Sequence, residues 1–244
     1  MLHMITDVLW TLEDTIRLGG GMQMPARATI VRLSKGGQSG ESKLVLHSPL
    51  AIDDETARGI ARLGKVEWIV APNCMHHLFL KGACERWPNA RVLGAPGLER
   101  KLGEGVRFEA LPSEGPLFDG EMAVRRIDGA PSLAEHVFFH PGSRTLVVSD
   151  LVFNVHAAPG FSLPLFLRIV SAWKKLAQSR VWRLLVKDRA AAAQSAEDVL
   201  RWDFDRLVMA HGDVVEANAR EELATALTWM RHLPSPPLSA RTTG

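Results

Sequence analysis

The stretch that decides the fold is residues 66–77, which read VEWIVAPNCMHH. Its first six residues have the apolar, β-branched pattern of a buried strand, and Pro72 ends that pattern. Two adjacent histidines, His76 and His77, follow in the next loop. Strand ends hold side chains rigidly while the loops beyond them vary, so this stretch predicts a buried strand with functional residues after its carboxyl end.

Two further strands predicted along the chain also end in polar residues. Asp150 follows a strand over 145–149, and His211 follows a strand over 206–209. Imidazole and carboxylate groups are ligands of zinc, iron(II) and manganese, and a cation held by them can acidify a bound water. Each residue taken singly is more often an ordinary hydrogen-bonding residue. Their joint occurrence at strand ends indicates a metal site formed by His76, His77, Asp150 and His211.

For each of three other polar residues near these loops, the sequence allows two roles. Cys74 is either a soft ligand or a buried packing residue, and packing is favoured because free cysteine is among the most buried residue types. Glu135 precedes a strand predicted over 136–140 and is either a general base or ligand, or a carboxylate facing solvent. Asn154 either orients a ligand through a hydrogen bond or forms a turn.

Composition limits the class of protein and of partner. The chain has 244 residues, of which 46% are hydrophobic and 23% charged, as in a globular protein with a full core. Its 29 basic and 27 acidic residues leave a net charge of +2. Nucleic-acid binding normally needs a basic stripe, so the sequence predicts a small-molecule substrate and no nucleic-acid partner.

Cysteine content and hydropathy indicate a cytoplasmic protein. Two cysteines can form at most one disulfide, too few for a disulfide-rich secreted protein. The first 14 residues lack the basic and apolar regions of a signal peptide. The longest apolar stretch, residues 161–173, is too short to span a membrane and contains Arg168. Packing of this stretch as an inserted helical hairpin is the favoured reading, and a lid or a membrane-surface contact is the alternative.

Apolar periodicity predicts the remaining elements. Two hairpins are expected, one on each side of several strands and helices, and a long helical segment follows the second. The predicted hairpins span 28–47 and 136–149, the helices 55–63, 96–102 and 217–233, the further strands 91–94, 106–111 and 122–127, and the helical segment 155–200.

This order of elements resembles the metallo-β-lactamase-like superfamily. The stretches PNCMHHLF at 72–79, FHPGSRTL at 139–146 and SDLVFN at 149–154 are similar to an uncharacterised branch of it, described only as a domain of unknown function. The resemblance implies an α+β protein with a four-layer αββα sandwich. It implies one domain over residues 1–234, with a helical insertion at about 155–200, and a flexible tail over 235–244.

The resemblance also implies how metal is held. The superfamily's loop motif is His-x-His-x-Asp-His, and here Pro72 and Cys74 stand at its first two histidines. The first metal pocket is therefore expected to be lost. The second pocket would keep His76, at the motif's Asp position, with His77, Asp150 and His211. One divalent ion is expected, zinc in the first instance and iron or manganese as alternatives, with Cys74, Glu135 and His136 as additional candidate ligands.

The activity implied by the resemblance is hydrolysis. One metal ion would activate water against an ester, thioester, lactone or phosphoester, and Asp150 would orient that water. The alternative is a non-catalytic binding or sensing protein on a degenerate scaffold, because fold alone does not fix function.

Overall fold

The computed structural model of the chain describes residues 2–34 and 41–232, which form two β-sheets and eight α-helices. The tail predicted over 235–244 lies outside the described residues. The first sheet has seven strands in chain order. They are β1 (Leu2–Thr6), β2 (Leu9–Arg17), β3 (Gln23–Arg32), β4 (Lys43–His47), β5 (Lys65–Ala71), β6 (Arg91–Gly94) and β7 (Glu109–Ala110).

Strand direction changes within this sheet. β1 to β4 pair antiparallel, as the predicted hairpin over 28–47 requires, whereas β4 to β7 pair parallel. Parallel neighbours need crossover connections, and each of the three connections contains a helix. α1 (Asp54–Ala61) joins β4 to β5, and α2 (Leu80–Arg86) joins β5 to β6; α3 (Glu99–Leu102) follows β6.

The second sheet has five strands in the order β12-β11-β10-β9-β8. They are β8 (Glu114–Leu117), β9 (Met122–Arg126), β10 (His136–His140), β11 (Thr145–Val147) and β12 (Arg206–Val208). β12 pairs parallel to β11, so the two strands end at the same edge of the sheet. The remaining helices are α4 (Ser162–Ile169), α5 (Arg180–Leu185), α6 (Arg189–Leu200), α7 (Ala219–Ala226) and α8 (Thr228–Arg231).

Three apolar clusters show that the layers are α, β, β and α. Val70 of β5 packs with Phe138 and Val208 of the second sheet between the two sheets. Ile60 of α1 belongs to a cluster on the outer face of the first sheet. The outer face of the second sheet is covered by a third cluster drawn from α6, α7 and α8: Ala192, Val199, Leu223 and Met230. The predicted αββα sandwich is confirmed.

Most predicted elements are present. The differences are β1 and β2, where no strand was predicted, and the edge strands β7 and β8. The helix expected over 55–63 is α1, and Asp53 caps it by accepting a hydrogen bond from the N–H of Thr56 at 2.7 Å. The strand expected over 106–111 pairs only at Glu109–Ala110. β8 was not expected, because its sequence EGPL contains Gly and Pro; it lies at a sheet edge, where both are tolerated.

The helical segment predicted over 155–200 contains α4, α5 and α6. α6 belongs to the layer that covers the second sheet. α4 instead packs through Leu163 and Leu167 against Met24 and Val155, in a separate cluster beside the first sheet. Across the described ranges, no helix is long and apolar enough to span a bilayer.

Candidate metal centre

The loop after β5 is folded by the side chain of Asn73. Its Oδ1 accepts hydrogen bonds from the N–H groups of Met75, at 2.7 Å, and His76, at 3.0 Å. Loop N–H groups have no strand partner, and a short polar side chain that accepts from them fixes a tight turn. Asn73 thereby sets the direction in which His76 leaves the backbone.

Three of the predicted site residues come together. Nε2 of His76 lies 3.3 Å from Oδ2 of Asp150, and Nε2 of His211 lies 3.3 Å from Oδ1 of the same carboxylate. The three ligand atoms lie within 4.8 Å of one another. Among the residues described, these three form the only cluster of His, Cys, Asp or Glu with this geometry. They come from the ends of β5, β11 and β12, as the strand-end pattern predicts.

The second nitrogen of each histidine ring has its own partner. Nδ1 of His211 donates to the carbonyl oxygen of Pro25 at 2.8 Å, and Nδ1 of His76 lies 2.5 Å from the hydroxyl oxygen of Ser48. A carbonyl only accepts, so Nδ1 of His211 carries the proton and Nε2 of the neutral ring is a bare acceptor facing a carboxylate. Two acceptors at 3.3 Å repel unless a cation or a proton lies between them, so this donor set fits a divalent metal.

The carboxylate at the centre is held in its ionised form. Burial opposes the ionisation of Asp150. When a proton lies between each facing Nε2 atom and the carboxylate, however, the charge of His76 and the hydrogen bonds from His211 and His76 hold the pKa of Asp150 well below the usual range. Phe153 stacks on the ring of His211, with centroids 5.2 Å apart and planes 7° from parallel, and limits rotation of that ring. An ionised carboxylate between fixed rings is the arrangement that a metal ligand set requires.

Glu135 holds the backbone on either side of Asp150 in place. Its side chain is fully buried, and its Oε1 accepts hydrogen bonds from the N–H groups of Ser149, Asp150 and Leu151, at 2.8, 3.1 and 3.3 Å. Nδ2 of Asn73 donates to Oε2 of Glu135, at 2.5 Å, and to Oδ2 of Asp150, at 2.8 Å. Burial, followed by the nearby charge of Asp150, raises the pKa of Glu135. Glu135 therefore contacts the backbone that carries Asp150 and lies outside the three-residue cluster.

The structure does not bring the other candidates into the cluster. His77 is half-buried, burial lowers its pKa, and its Nδ1 has no hydrogen-bond partner among the residues that the structure describes. The Cys74 thiol lies 3.5 Å from the carbonyl oxygen of Pro96, and burial raises its pKa. Nδ1 of His136 donates to the carbonyl oxygen of Ala134 at 2.7 Å. Ligation by His77, Cys74, Glu135 or His136 stays a prediction.

The segment that carries His211 is tied to two other parts of the chain. The N–H of Asn154 donates to the carbonyl oxygen of His211 at 3.0 Å, and its Nδ2 donates to that of Asp213 at 2.9 Å. Nη1 of Arg27 donates to the carbonyl oxygens of Met209, at 2.8 Å, and Gly212, at 2.5 Å. Arg27 and Pro25 lie on β3, so the first sheet positions a residue that belongs to the second.

Sequence patterns gave no signal for Arg27 or for the carbonyl of Pro25, because both act through backbone atoms far away in the chain. Sequence patterns did not indicate a role for Ser48 either. The role of Asn73 could have been predicted, since an Asn that follows Pro at a strand end is a typical turn-forming residue.

We expect Arg27→Met to lower the free energy of unfolding by about 2 kcal/mol, because one buried and one half-buried carbonyl group lose a charged donor. Zinc affinity should also fall, by about tenfold, as the His211 segment loosens. Arg32→Met on the same strand is the matched control, since its hydrogen bond to Asp7 is exposed. Equal unfolding midpoints in urea for the two variants would contradict this role.

An apolar cavity of about 280 Å³ opens beside the three candidate ligands. His76, Asp150 and His211 line it, together with Arg27 and Ser48. The rest of the wall is almost entirely apolar and comes from the first sheet, the loop after β5, and α4 and α5, with contributions from Leu18, Met24, Leu78, Phe166, Val170, Trp182 and Leu185. The cavity therefore places an almost entirely apolar surface beside the candidate metal centre.

Comparison with solved structures identifies the fold. TMB-1 covers 95% of this chain and 98% of its own at a TM-score of 0.65, with 12% sequence identity. The match to the mono-zinc form of the metallo-β-lactamase FIM-1 from Pseudomonas aeruginosa covers 96% of both chains, with a TM-score of 0.59 and 14% sequence identity. The match to the metal-soaked Flv1 flavodiiron core from Synechocystis sp. PCC6803 covers 94% of this chain and 60% of the Flv1 chain, with a TM-score of 0.64 and 12% sequence identity.

Comparison at the level of sequence is narrower. Residues 6–98 match the family described as a domain of unknown function, DUF4336. No curated protein matches the chain. The predicted metallo-β-lactamase fold is confirmed, and so is the predicted likeness to an uncharacterised family.

Proposed function

Since the chain has the metallo-β-lactamase fold, we propose that it is a metal-dependent hydrolase that uses one divalent cation, and that its substrate carries a large apolar group. The bond cleaved is an ester, thioester, lactone or phosphoester. The observation that carries the proposal is the convergence of two imidazole nitrogens on the Asp150 carboxylate, 3.3 Å from each, in the wall of an apolar cavity.

His76, Asp150 and His211 would hold the cation. Bound there, a divalent cation supplies an acidified water and polarises the substrate oxygen. Asp150 keeps the two imidazoles on either side of it, and its carboxylate can also accept a hydrogen bond that orients the attacking water. Asn73 and Glu135 hold the loop and the backbone that carry these groups, so the ligands need little rearrangement to bind.

The cavity wall supports the choice of substrate. It offers few polar groups besides the candidate ligands, Arg27 and Ser48, and Nη1 of Arg27 is already bonded to two carbonyl oxygens. A polar substrate would lose its hydration there without compensation. An acyl chain or another apolar group gains free energy from the same surface.

The test is hydrolysis of aryl esters and aryl phosphodiesters by protein freed of metal with a chelator and reloaded with zinc, iron(II) or manganese. We expect turnover that requires the metal. We also expect kcat/KM to rise by at least about tenfold from acetate to octanoate esters, because each buried methylene contributes about 0.8 kcal/mol. Wild type without metal and Asp150→Asn with metal are the controls.

Three outcomes separate the hypotheses. Turnover that is equal with and without metal would overturn the proposal. Metal-dependent turnover that does not change with acyl-chain length would contradict the proposed apolar substrate but support the proposed hydrolase activity. Tight metal binding without turnover of any ester would favour the non-catalytic binding or sensing protein instead.

A further inference from the structure

We propose that residues 161–187 form a docking face for an anionic phospholipid surface, which brings the mouth of the apolar cavity against the lipid. The inference concerns where the protein binds and does not depend on hydrolysis. It rests on the exposed apolar side chains of this segment, on its charge, and on its position beside the cavity.

One side of α4 is fixed to the protein, and the other is exposed. Leu163, Leu167 and Val170 are buried in the cluster with Met24. Residues spaced by four lie on one side of a helix, and Phe161, Leu165 and Ile169 follow that spacing. They are 80%, 52% and 61% exposed. An apolar stripe of this kind is costly in water unless something covers it.

The exposed apolar surface continues on α5 and around the cavity. Leu184 is 85% exposed and Val181 43%. Val181 also lines the cavity, as do the exposed side chains of Met75 and Leu78 from the loop after β5. Residues that line the cavity and are also exposed form its rim. The stripe lies on α4, which also contributes Phe166 and Leu167 to the cavity wall, so the stripe and the rim belong to neighbouring parts of the surface.

The charge of the segment selects an anionic partner. Residues 161–187 contain six Lys or Arg and no Asp or Glu. These cations are Arg168, Lys174, Lys175, Arg180, Arg183 and Lys187, and all are exposed except Arg183, which is half-buried. In the parts of the chain that the structure describes, none of the six forms an ion pair with a carboxylate. Arg168 and Lys174 instead lie over the ring of Trp173, at 5.2 and 5.9 Å from its centroid.

Exposed apolar side chains flanked by unpaired cations match the two layers of an anionic membrane surface. Acyl chains take up the apolar side chains, while Lys and Arg remain among the headgroups. Trp173 with its adjacent cations is an amphipathic group of the type that lies at the membrane interface. A second protein would also cover an apolar stripe, but six cations without one carboxylate favour an anionic surface.

The experiment is co-sedimentation of the full chain with large vesicles of phosphatidylcholine alone or of phosphatidylcholine mixed with phosphatidylserine. We expect binding to the mixed vesicles, at least about tenfold weaker binding to phosphatidylcholine alone, and loss of binding at high salt. The combined variant Phe161→Ser, Leu165→Ser and Leu184→Ser should bind at least about tenfold more weakly. Met4→Ser is the matched control, since Met4 is 70% exposed on β1.

A second variant keeps the test decisive if the first fails to fold. Lys174→Glu with Lys175→Glu changes only exposed charges and should also reduce binding to the mixed vesicles by about tenfold. Absence of wild-type binding to mixed vesicles would overturn the proposal. So would full binding by both variants, or a wild-type dimer in size-exclusion chromatography that the Ser variant converts to a monomer, because a second copy would then cover the stripe.

Discussion

Asp150→Asn is expected to reduce zinc binding from about one equivalent per chain to less than about a tenth of an equivalent. Asn has nearly the same size as Asp, so the fold should persist while the negative charge is lost. That charge is the group that both Nε2 atoms face at 3.3 Å. Without it, two neutral imidazoles remain, and they hold a divalent cation weakly. The measurement is elemental analysis after dialysis into chelator-free buffer.

Two further variants test this result, one expected to lose the metal and one expected to keep it. His211→Ala should lose metal as Asp150→Asn does. Asp213→Asn should keep it, because that carboxylate is exposed and lies outside the cluster although it is two residues from His211. Stoichiometric zinc in Asp150→Asn, with binding isotherms equal to those of wild type, would contradict the proposed centre.

His77→Ala decides between the ligand set expected from sequence and the cluster in the structure. A three-ligand centre retains about one equivalent of zinc in this variant, because three protein ligands suffice for a catalytic site. Loss of the metal would show that the His77 ring joins the other three when the cation binds. Two equivalents in wild type would show that Cys74, Glu135 or His136 rebuilds a second pocket.

Glu135→Ala is expected to lower the free energy of unfolding by about 3 kcal/mol. The substitution leaves three buried N–H groups, of residues 149–151, without an acceptor, and each such loss costs about 1–3 kcal/mol. Removal of a buried carboxylate close to Asp150 relieves some desolvation and repulsion, but the relief is smaller than the sum of the lost hydrogen bonds. Urea unfolding monitored by tryptophan fluorescence measures the difference.

A graded series tests the mechanism of that loss. In Glu135→Gln the carbonyl oxygen can still accept from the three N–H groups, but its NH2 then faces the NH2 of Asn73, which cannot flip because its Oδ1 accepts two loop N–H groups. We expect a loss of about 1 kcal/mol and about tenfold weaker zinc binding. Glu109→Ala is the control, since its ion pair with Arg91 is exposed. Equal stability of Glu135→Ala and this control would contradict the account.

Candidate ligands could be predicted because their positions depend on short-range patterns. A buried strand that ends at Ala71 and a strand that ends before His211 are visible in local hydropathy. The carboxyl ends of β11 and β12 meet because the two strands pair parallel. Sequence reasoning could expect that meeting once the order of elements resembled a known superfamily, and the structure then brought His76, Asp150 and His211 to one point.

The alternatives left open by the sequence concerned the direction of side chains. Cys74 and Glu135 both lie within a few residues of a site residue, and both could have been ligands. Direction depends on turn geometry: the side chain of Asn73 folds the loop, and the Glu135 carboxylate accepts from the backbone of residues 149–151. The turn made by Asn73 is local, but its side chain also joins Glu135 and Asp150, which are 62 and 77 positions away, and no local pattern encodes those contacts.

By itself, the sequence determined the layers of the sandwich, the strands that carry the candidate ligands, and the residue types available to a metal. The strands and the residue types follow from apolar periodicity and residue chemistry, which are local properties, whereas the layers were implied by the resemblance to the metallo-β-lactamase-like superfamily. Only the tertiary structure decided which imidazoles face Asp150, that β3 supplies Pro25 and Arg27 to the His211 segment, and that α4 and α5 form one wall of an apolar cavity. The physical reason is that packing between distant segments fixes side-chain direction, and a hydrogen bond to a backbone carbonyl leaves no trace in the identity of the residue that provides it.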